Sequence, residues 1–423
     1  MIEIDTDLHI HSCHSIGVSK NMNIPNLEIG ASRKGISLLG TGDATQPDWL
    51  SHLRKNLREK DEVLGYEKCA FIITTEVEDE DSIHHVILLP DFEATDRFRK
   101  LLKPYSPNLD DEWGGRPRVN TSAEQIAGFV SDIGGLVGPA HAFTPFRAIF
   151  RENKYGSLLE CYGEQAKHVH FLELGLSADS QVADAIPELH RVTYITSSDA
   201  HSPTPDKIGR EFVRFKMERP NFDEVKLAIL RERGRKATLN IGFNPRLGKY
   251  YLSFCSSCRR TLVVKKGDNS PEFDELNIYI YCNNEKEELA LLKLIHQRKV
   301  ICPADGKKLR LGVRDRAFML GEGEVKSPAH RPEYKHIPPL LDLITTALGV
   351  KSSKSRAAVR LYDSLLQVFG VEIKILLSAP MDEIQSANSK LAQMIGDYRA
   401  GNIRYVAGGG GRYGRIIAPW ENC

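Results

Sequence analysis

The chain predicts an α/β fold over residues 1–243, then a small cysteine-bearing module, then a helical C-terminal region. Three observations carry that expectation. Strand, loop and helix patterns alternate about seven times in the first part, as in a parallel barrel or a doubly wound sheet. Most of those strands run into a His, Asp or Glu. Further on, a Cys-x2-Cys pair and then apolar residues at helical spacing replace the strand pattern.

The opening strand, expected over 2–10, carries Asp7-Leu8-His9-Ile10-His11-Ser12. His9 and His11 stand two apart, so a strand sends both imidazoles to one face, half of a transition-metal site. Two histidines on a solvated edge strand have the same spacing. Pro25 at a first-turn position predicts a helix over 24–34. Strand 36–40 runs into Asp43 and strand 70–75 into Glu76, while strand 83–89 has His85 at its start. Strands 135–140, 170–172 and 192–198 end in His141, Glu173 and Asp199-Ala200-His201. Helical patterns such as 123–131 and 181–190 lie between them.

One polar residue at a strand end means little. His9, His11, Asp43, Glu76, His141, Asp199 and His201 together mark the end of an α/β barrel where active sites collect, with His85 the exception at a strand's start. Imidazoles and carboxylates without a thiolate suit zinc, manganese or iron in a catalytic cluster. Eight such groups exceed the need of one ion, which predicts two or three. Lys20 and Arg210 are candidates for holding phosphate oxygens, and each also fits a solvated surface charge. Glu173 is placed to orient a ligand from behind. No Ser-His-Asp or Cys-His arrangement stands out, so no side-chain nucleophile is expected.

These motifs resemble the polymerase-and-histidinol-phosphatase (PHP) family over residues 1–243. The resemblance implies a distorted (β/α)7 PHP barrel, a trinuclear metal centre held by the eight residues named, and hydrolysis of phosphate esters. It also implies His85 rather than His84 as a ligand, since the family's histidine directly precedes the apolar strand residues.

With 423 residues the chain has room for two or three domains. Its net charge of +1 hides an asymmetry. Residues 1–243 hold 29 Lys and Arg against 37 Asp and Glu, a balance of −8; residues 244–423 hold 28 against 19, a balance of +9. An acidic part that binds cations and a basic part that holds a polyanion would look like this. No apolar run approaches a membrane span and Met1-Ile2-Glu3-Ile4-Asp5 is no signal peptide. A cytoplasmic protein with no membrane partner is expected, in which clustered cysteines favour metal over a disulfide.

The pattern changes around Phe243-Asn244-Pro245, which predicts domains at 1–243, 244–325 and 326–423. Cys255, Cys258 and Cys302 supply three ligands of a structural zinc site, and the fourth is Asp305 or Cys282. Arg259, Arg260, Lys265, Lys266, Lys307, Lys308, Arg310, Arg314 and Arg316 surround it, a cationic face suited to a phosphate backbone or simply to water. Helices are expected over 340–348, 355–369 and 380–400. Gly408-Gly409-Gly410-Gly411-Arg412-Tyr413-Gly414-Arg415 lacks the Lys-Ser/Thr of a P-loop and reads as an ordered loop touching nucleic acid or the catalytic face, with a floppy tail as the alternative.

The whole order of parts is similar to endonuclease Q, with Val18-Ser19-Lys20, Leu174-Gly175-Leu176-Ser177 and Cys302-Pro303-Ala304-Asp305-Gly306 adding to the PHP motifs. That resemblance implies a DNA repair endonuclease that nicks double- or single-stranded DNA on the 5′ side of hypoxanthine, uracil, xanthine or an abasic site. Zinc, with Mg2+ or Mn2+ as alternatives for activity, would ready the attacking water. The damaged base would be extruded into a pocket, and the loops of Trp113 and Tyr162 are candidates to line it. No sliding-clamp peptide is recognised at the C-terminus, so clamp binding is not predicted. The alternative is a PHP-type phosphatase acting on a small phosphate ester, which leaves the basic part without a use.

Overall fold

The computed structural model describes residues 1–321, 323 and 326–421. Val325, at the expected second boundary, and Cys423 lie outside the described residues. The first strand, Ile2–Asp7, runs parallel to Leu38–Gly40, which in turn runs parallel to Cys69–Glu78. From there the pairing turns antiparallel, through His84–Leu89 to Leu136–Pro139. Only residues 79–83 separate Glu78 from His84, far too few for the crossover that a parallel partner needs. The sheet is therefore mixed, not uniformly parallel as the alternating pattern suggested.

Phe171–Glu173 and Thr193–Ile195 form a parallel pair. Single bridges, Val137–Val169 and Ile10–Ala200, tie that pair to the strands on either side. On its other flank the first strand pairs antiparallel with Phe212–Met217, which pairs antiparallel with Lys236–Gly242. Neither of those strands was expected. Both faces are covered, so neighbouring residues along a strand enter different cores. Leu38, Ile72, Val86, Phe171, Ile195 and Val213 fill one core. Leu39, Phe71, Ile73, Ile87, Leu172 and Tyr194 face the other, where Leu27, Ala31 and Trp49 of the helices pack.

A five-stranded sheet from Phe254–Cys255 to Leu309–Arg310 carries the helix Glu285–His296 and has its own core of Leu262, Ile278, Leu292 and Ile295. Strand Glu333–His336 then returns to pair parallel with Lys236–Gly242. Five helices follow, Leu340–Leu348, Arg356–Phe369, Glu372–Leu377, Met381–Ala387 and Ser389–Ala400. The expected helix over 380–400 is two, because Asn388 leaves the helix and its side chain caps the next by accepting the Leu391 N–H. The pattern over 181–190 likewise divides, into Ser180–Asp184 and a 3-10 turn begun by Pro187.

The last part is a ribbon, Arg404–Val406 against Arg415–Ile417. Its glycine loop folds back: Gly408 N–H donates to Arg246 O at 2.7 Å and Gly411 N–H to Lys249 O at 3.1 Å. At Gly410 (φ +58) a Cβ would stand 1.8 Å from Arg259 O, so only glycine permits this approach. Among the described residues no helix is long and apolar enough to cross a membrane.

Candidate metal centre

The first strand stops at Asp7, and the next residues cross toward the Asp199 loop instead of continuing the ladder. His11 N–H donates to Ala200 O at 3.1 Å and Asp199 N–H to His9 O at 2.9 Å. Asp7, fully buried, accepts the N–H groups of Ser198 and Gly209, both at 2.9 Å, and pins the two ends of that loop. Burial lifts the Asp7 carboxyl to about 6, against these hydrogen bonds.

Two sets of ligand atoms result. The imidazoles of His9 and His11 converge with Asp199, and Glu76 converges with His84 and His141; within each set the atoms lie inside 4.8 Å. Glu76 joins the sets. Its Oε1 is 2.9 Å from His84 Nδ1 and 3.1 Å from His141 Nε2, while Oε1 and Oε2 lie 3.6 and 3.5 Å from His9 and His11 Nε2. His11 Nε2 is also 3.1 Å from Asp199 Oδ1. His201 lies tilted beside His11 with ring centroids 5.0 Å apart, its Nδ1 2.9 Å from the Asp199 carbonyl.

Carboxylates set the ring orientations from behind. Glu173 lies 2.9 Å from His9 Nδ1 and accepts the His141 N–H at 2.7 Å. Asp43 lies 3.0 Å from His11 Nδ1, and its other oxygen accepts from Ser12 N, Ser12 Oγ and Ser15 Oγ. Both histidines thereby turn Nε2 inward, the arrangement by which a second layer of residues fixes metal-ligating imidazoles. Asp43 thus sits behind His11, outside both sets.

The electrostatics favour positive charge. Burial alone would lower His9, yet Glu173 and Glu76 hold it well above its ordinary value. His11, against the same burial, is pushed up to about 9 by Asp43 and Asp199. Burial would raise Glu76, but His84, Arg116 and His9 hold it well below the usual carboxylate range. His9 Nε2 is buried with no hydrogen-bond partner. Inward imidazole nitrogens and carboxylate oxygens, with His9 Nε2 left unpartnered among them, are the donor set of a divalent cation, and the residues fit one.

His85 corrects the expectation. It occupies the opposite face of its strand, with Nδ1 2.7 Å from Tyr162 Oη and Nε2 3.0 Å from Asp79 Oδ2. His84 faces the cluster because adjacent strand residues point to opposite sides. Tyr162, fully buried against His85, is therefore not a pocket residue. Exposed Trp113 does not line the cavity described below.

Arg116, unforeseen in the sequence, reaches the centre. Its Nε bonds Glu76 Oε2 and its Nη2 lies 3.2 Å from His11 Nε2. Gly115 lets that loop pass close by, since a Cβ there would stand 2.6 Å from Asp43 Oδ2. Lys20 is exposed at the rim, its loop tied by Ser19 N–H to His201 O at 2.9 Å. Arg210 Nε donates to Ser198 O at 2.8 Å, and the residue lines a cavity of about 640 Å³ beside the cluster, with Thr144, Phe146, Leu176, Tyr250 and Tyr413. Thr144 is bound to His141, so the cavity and the cluster share a turn.

In the small module, Cys255, Cys258, Cys302 and Asp305 converge within 4.8 Å, and Cys282 is not among them. Cys258 and Cys302 sulfurs stand 3.7 Å apart, close to the ~3.8 Å edge of a tetrahedron with metal–sulfur bonds of about 2.3 Å. Asp305 Oδ2 is 3.4 Å from Cys255 Sγ.

Known proteins share this architecture. The lesion-specific endonuclease PfuEndoQ from Pyrococcus furiosus matches with a TM-score of 0.85 and 38% identity, over 99% of this chain and 96% of that one. A structure of endonuclease Q with a 27-mer duplex substrate carrying an abasic lesion at the active site matches with a TM-score of 0.83 and 37% identity, over 99% and 97%. A family model described as the MJ0043 C-terminal domain matches residues 339–402. The uncharacterized protein MJ0043 of Methanocaldococcus jannaschii is 32% identical over 302 residues, which are 70% of this chain and only 33% of that protein. The chain thus spans about a third of that relative's length.

Proposed function

The chain belongs to the endonuclease Q family, and from that premise we propose that it is a metal-dependent DNA repair endonuclease. It opens the phosphodiester bond on the 5′ side of an abasic site or a deaminated base: hypoxanthine, uracil or xanthine. The observation that carries the reading is Glu76, spanning the His9–His11–Asp199 and His84–His141 sets, with His141 bonded to Thr144 in the wall of the 640 Å³ cavity. Residues 1–243 act as the PHP-type barrel, closed through the Val137–Val169 and Ile10–Ala200 bridges.

His9, His11, Glu76, His84, His141, Asp199 and His201 would hold the ions, whether zinc, Mg2+ or Mn2+. Bound there, such ions would supply Lewis acidity and would bring the pKa of a water toward neutrality. Glu173 and Asp43 keep the imidazoles aimed. Arg116 places a guanidinium beside Glu76, where it meets charge on the non-bridging phosphate oxygens. Lys20 and Arg210, on the rim, hold phosphates of the strand. The extruded nucleotide enters the 640 Å³ cavity, whose exposed Phe146 and Tyr413 offer faces for stacking. Weak pairing of a deaminated base makes its extrusion cheaper, which contributes to selection. Cys255, Cys258, Cys302 and Asp305, which converge, would hold a structural zinc that stabilises the small module.

Labelled duplexes with one hypoxanthine, uracil or abasic site test the reading, with and without chelator. Cleavage 5′ to the lesion that chelation removes and added metal restores is the expected result. Intact DNA alongside phosphate release from small esters would establish the phosphatase instead.

A further inference from the structure

Beside the cavity that takes the extruded nucleotide lies a second, smaller one of about 230 Å³, above the small module. The two share Pro145, Phe146 and Tyr250 and differ beyond that wall. The first continues to Arg210 and to Thr144, which is bonded to His141; the second continues to Phe254, Ser256, Arg259 and Arg310. Phe146 is 68% exposed, and its ring meets Tyr250 edge-on at 6.4 Å, which in turn lies 5.2 Å from Phe254. An exposed aromatic ring with a cavity on each side has the form of a wedge between stacked bases.

The wedge is anchored to the chemistry. Thr144 Oγ1 donates to the Phe146 carbonyl at 2.7 Å, and Thr144 N–H donates to the His141 carbonyl at 3.0 Å. The second cavity is also charged. Neither the Arg259 nor the Arg310 guanidinium has a carboxylate partner among the described residues, whereas the neighbouring Glu152 is engaged by Arg298 at 3.0 Å. Arg259 takes a left-handed backbone conformation (φ +63), with Gly410 and Gly411 folded against it.

We propose that this second cavity binds the nucleotide adjacent to the extruded one on the same strand, its base against Phe146 and Tyr250 and its phosphate between Arg259 and Arg310. The inference rests on the endonuclease reading above and adds a second recognition point to it. The same-strand neighbour is favoured because only the Phe146–Tyr250 wall separates the cavities, and consecutive nucleotides of one strand are the units that a single inserted ring parts. Aromatic walls with unpaired guanidinium groups suit a base and its phosphate together.

The test uses the full chain and abasic-lesion duplexes in which the neighbouring nucleotide on one side, then the other, and in a third duplex the nucleotide opposite the lesion, also loses its base. A base–aromatic stack predicts that one of these weakens binding by about tenfold or more, and that Phe146→Ala removes the difference between duplexes with and without that base. In the same assay Arg310→Ala lowers the slope of log K against log salt by about one. Equal binding of all duplexes overturns the second cavity as a nucleotide site. Sensitivity only to the base opposite the lesion overturns the same-strand assignment. Loss of lesion-dependent cleavage in the unaltered protein would overturn the function itself, so the two failures are separable.

Discussion

Lys34 Nζ and Glu372 Oε1 meet at 2.6 Å with both residues out of solvent, at 1% and 0% exposure. The pair joins a helix of the first domain to the C-terminal helices. Lys34 also donates to Pro205 O at 3.2 Å, inside the loop that starts at Asp199. Glu372 accepts from Leu340 N–H and Tyr362 Oη as well. Breaking a buried pair leaves one charge uncompensated, so Lys34→Met costs about 3–5 kcal/mol in chemical denaturation. Lys34→Met with Glu372→Gln recovers much of that loss, because the amide still accepts hydrogen bonds without the charge.

His84→Ala and His85→Ala separate ligand from scaffold. The first removes a cluster nitrogen and lowers both bound metal, read by elemental analysis, and cleavage. His85→Ala keeps the metal but strands Asp79 and Tyr162, lowering stability by about 1–3 kcal/mol in denaturant titrations.

Glu173→Gln loosens the hold on His9 Nδ1 while leaving every inward donor in place. Removing such an outer partner costs about 10- to 100-fold in metal affinity, read by titration of the chelated protein, with lesion-DNA binding retained.

Burial raises the Glu211 carboxyl to about 8, with the Phe243 N–H only partly opposing it. Its Oε2 has no hydrogen-bond partner. In the unfolded chain this group ionises near its ordinary pKa, while in the folded protein it keeps its proton. The unfolded state therefore binds fewer protons between those values, and stability falls as pH rises toward 8, then levels off. Glu211→Gln flattens that fall in thermal melts across the range and is the more stable form at the alkaline end.

Much of the site follows from strand ends alone. Seven of the eight expected ligands lie in or beside the cluster, because each terminates a strand or the turn after it. The choice between His84 and His85 needed the face of a strand whose partners were unknown, and a one-residue shift of register reverses it. Arg116 sits in a loop with no periodicity, and its reach depends on Gly115 passing Asp43, which only three dimensions reveal. Strands Phe212–Met217 and Lys236–Gly242 escaped notice because Arg, Lys, Thr and Asn interrupt their apolar residues and weaken the strand pattern.

Without Glu333–His336 beside it, Lys236–Gly242 would offer a row of open amides and carbonyls to any other chain. A fragment ending at Phe243 would inherit that raw border and self-associate. Residues 1–243 are thus not a portable unit, for their sheet takes its last strand from beyond the cysteine module.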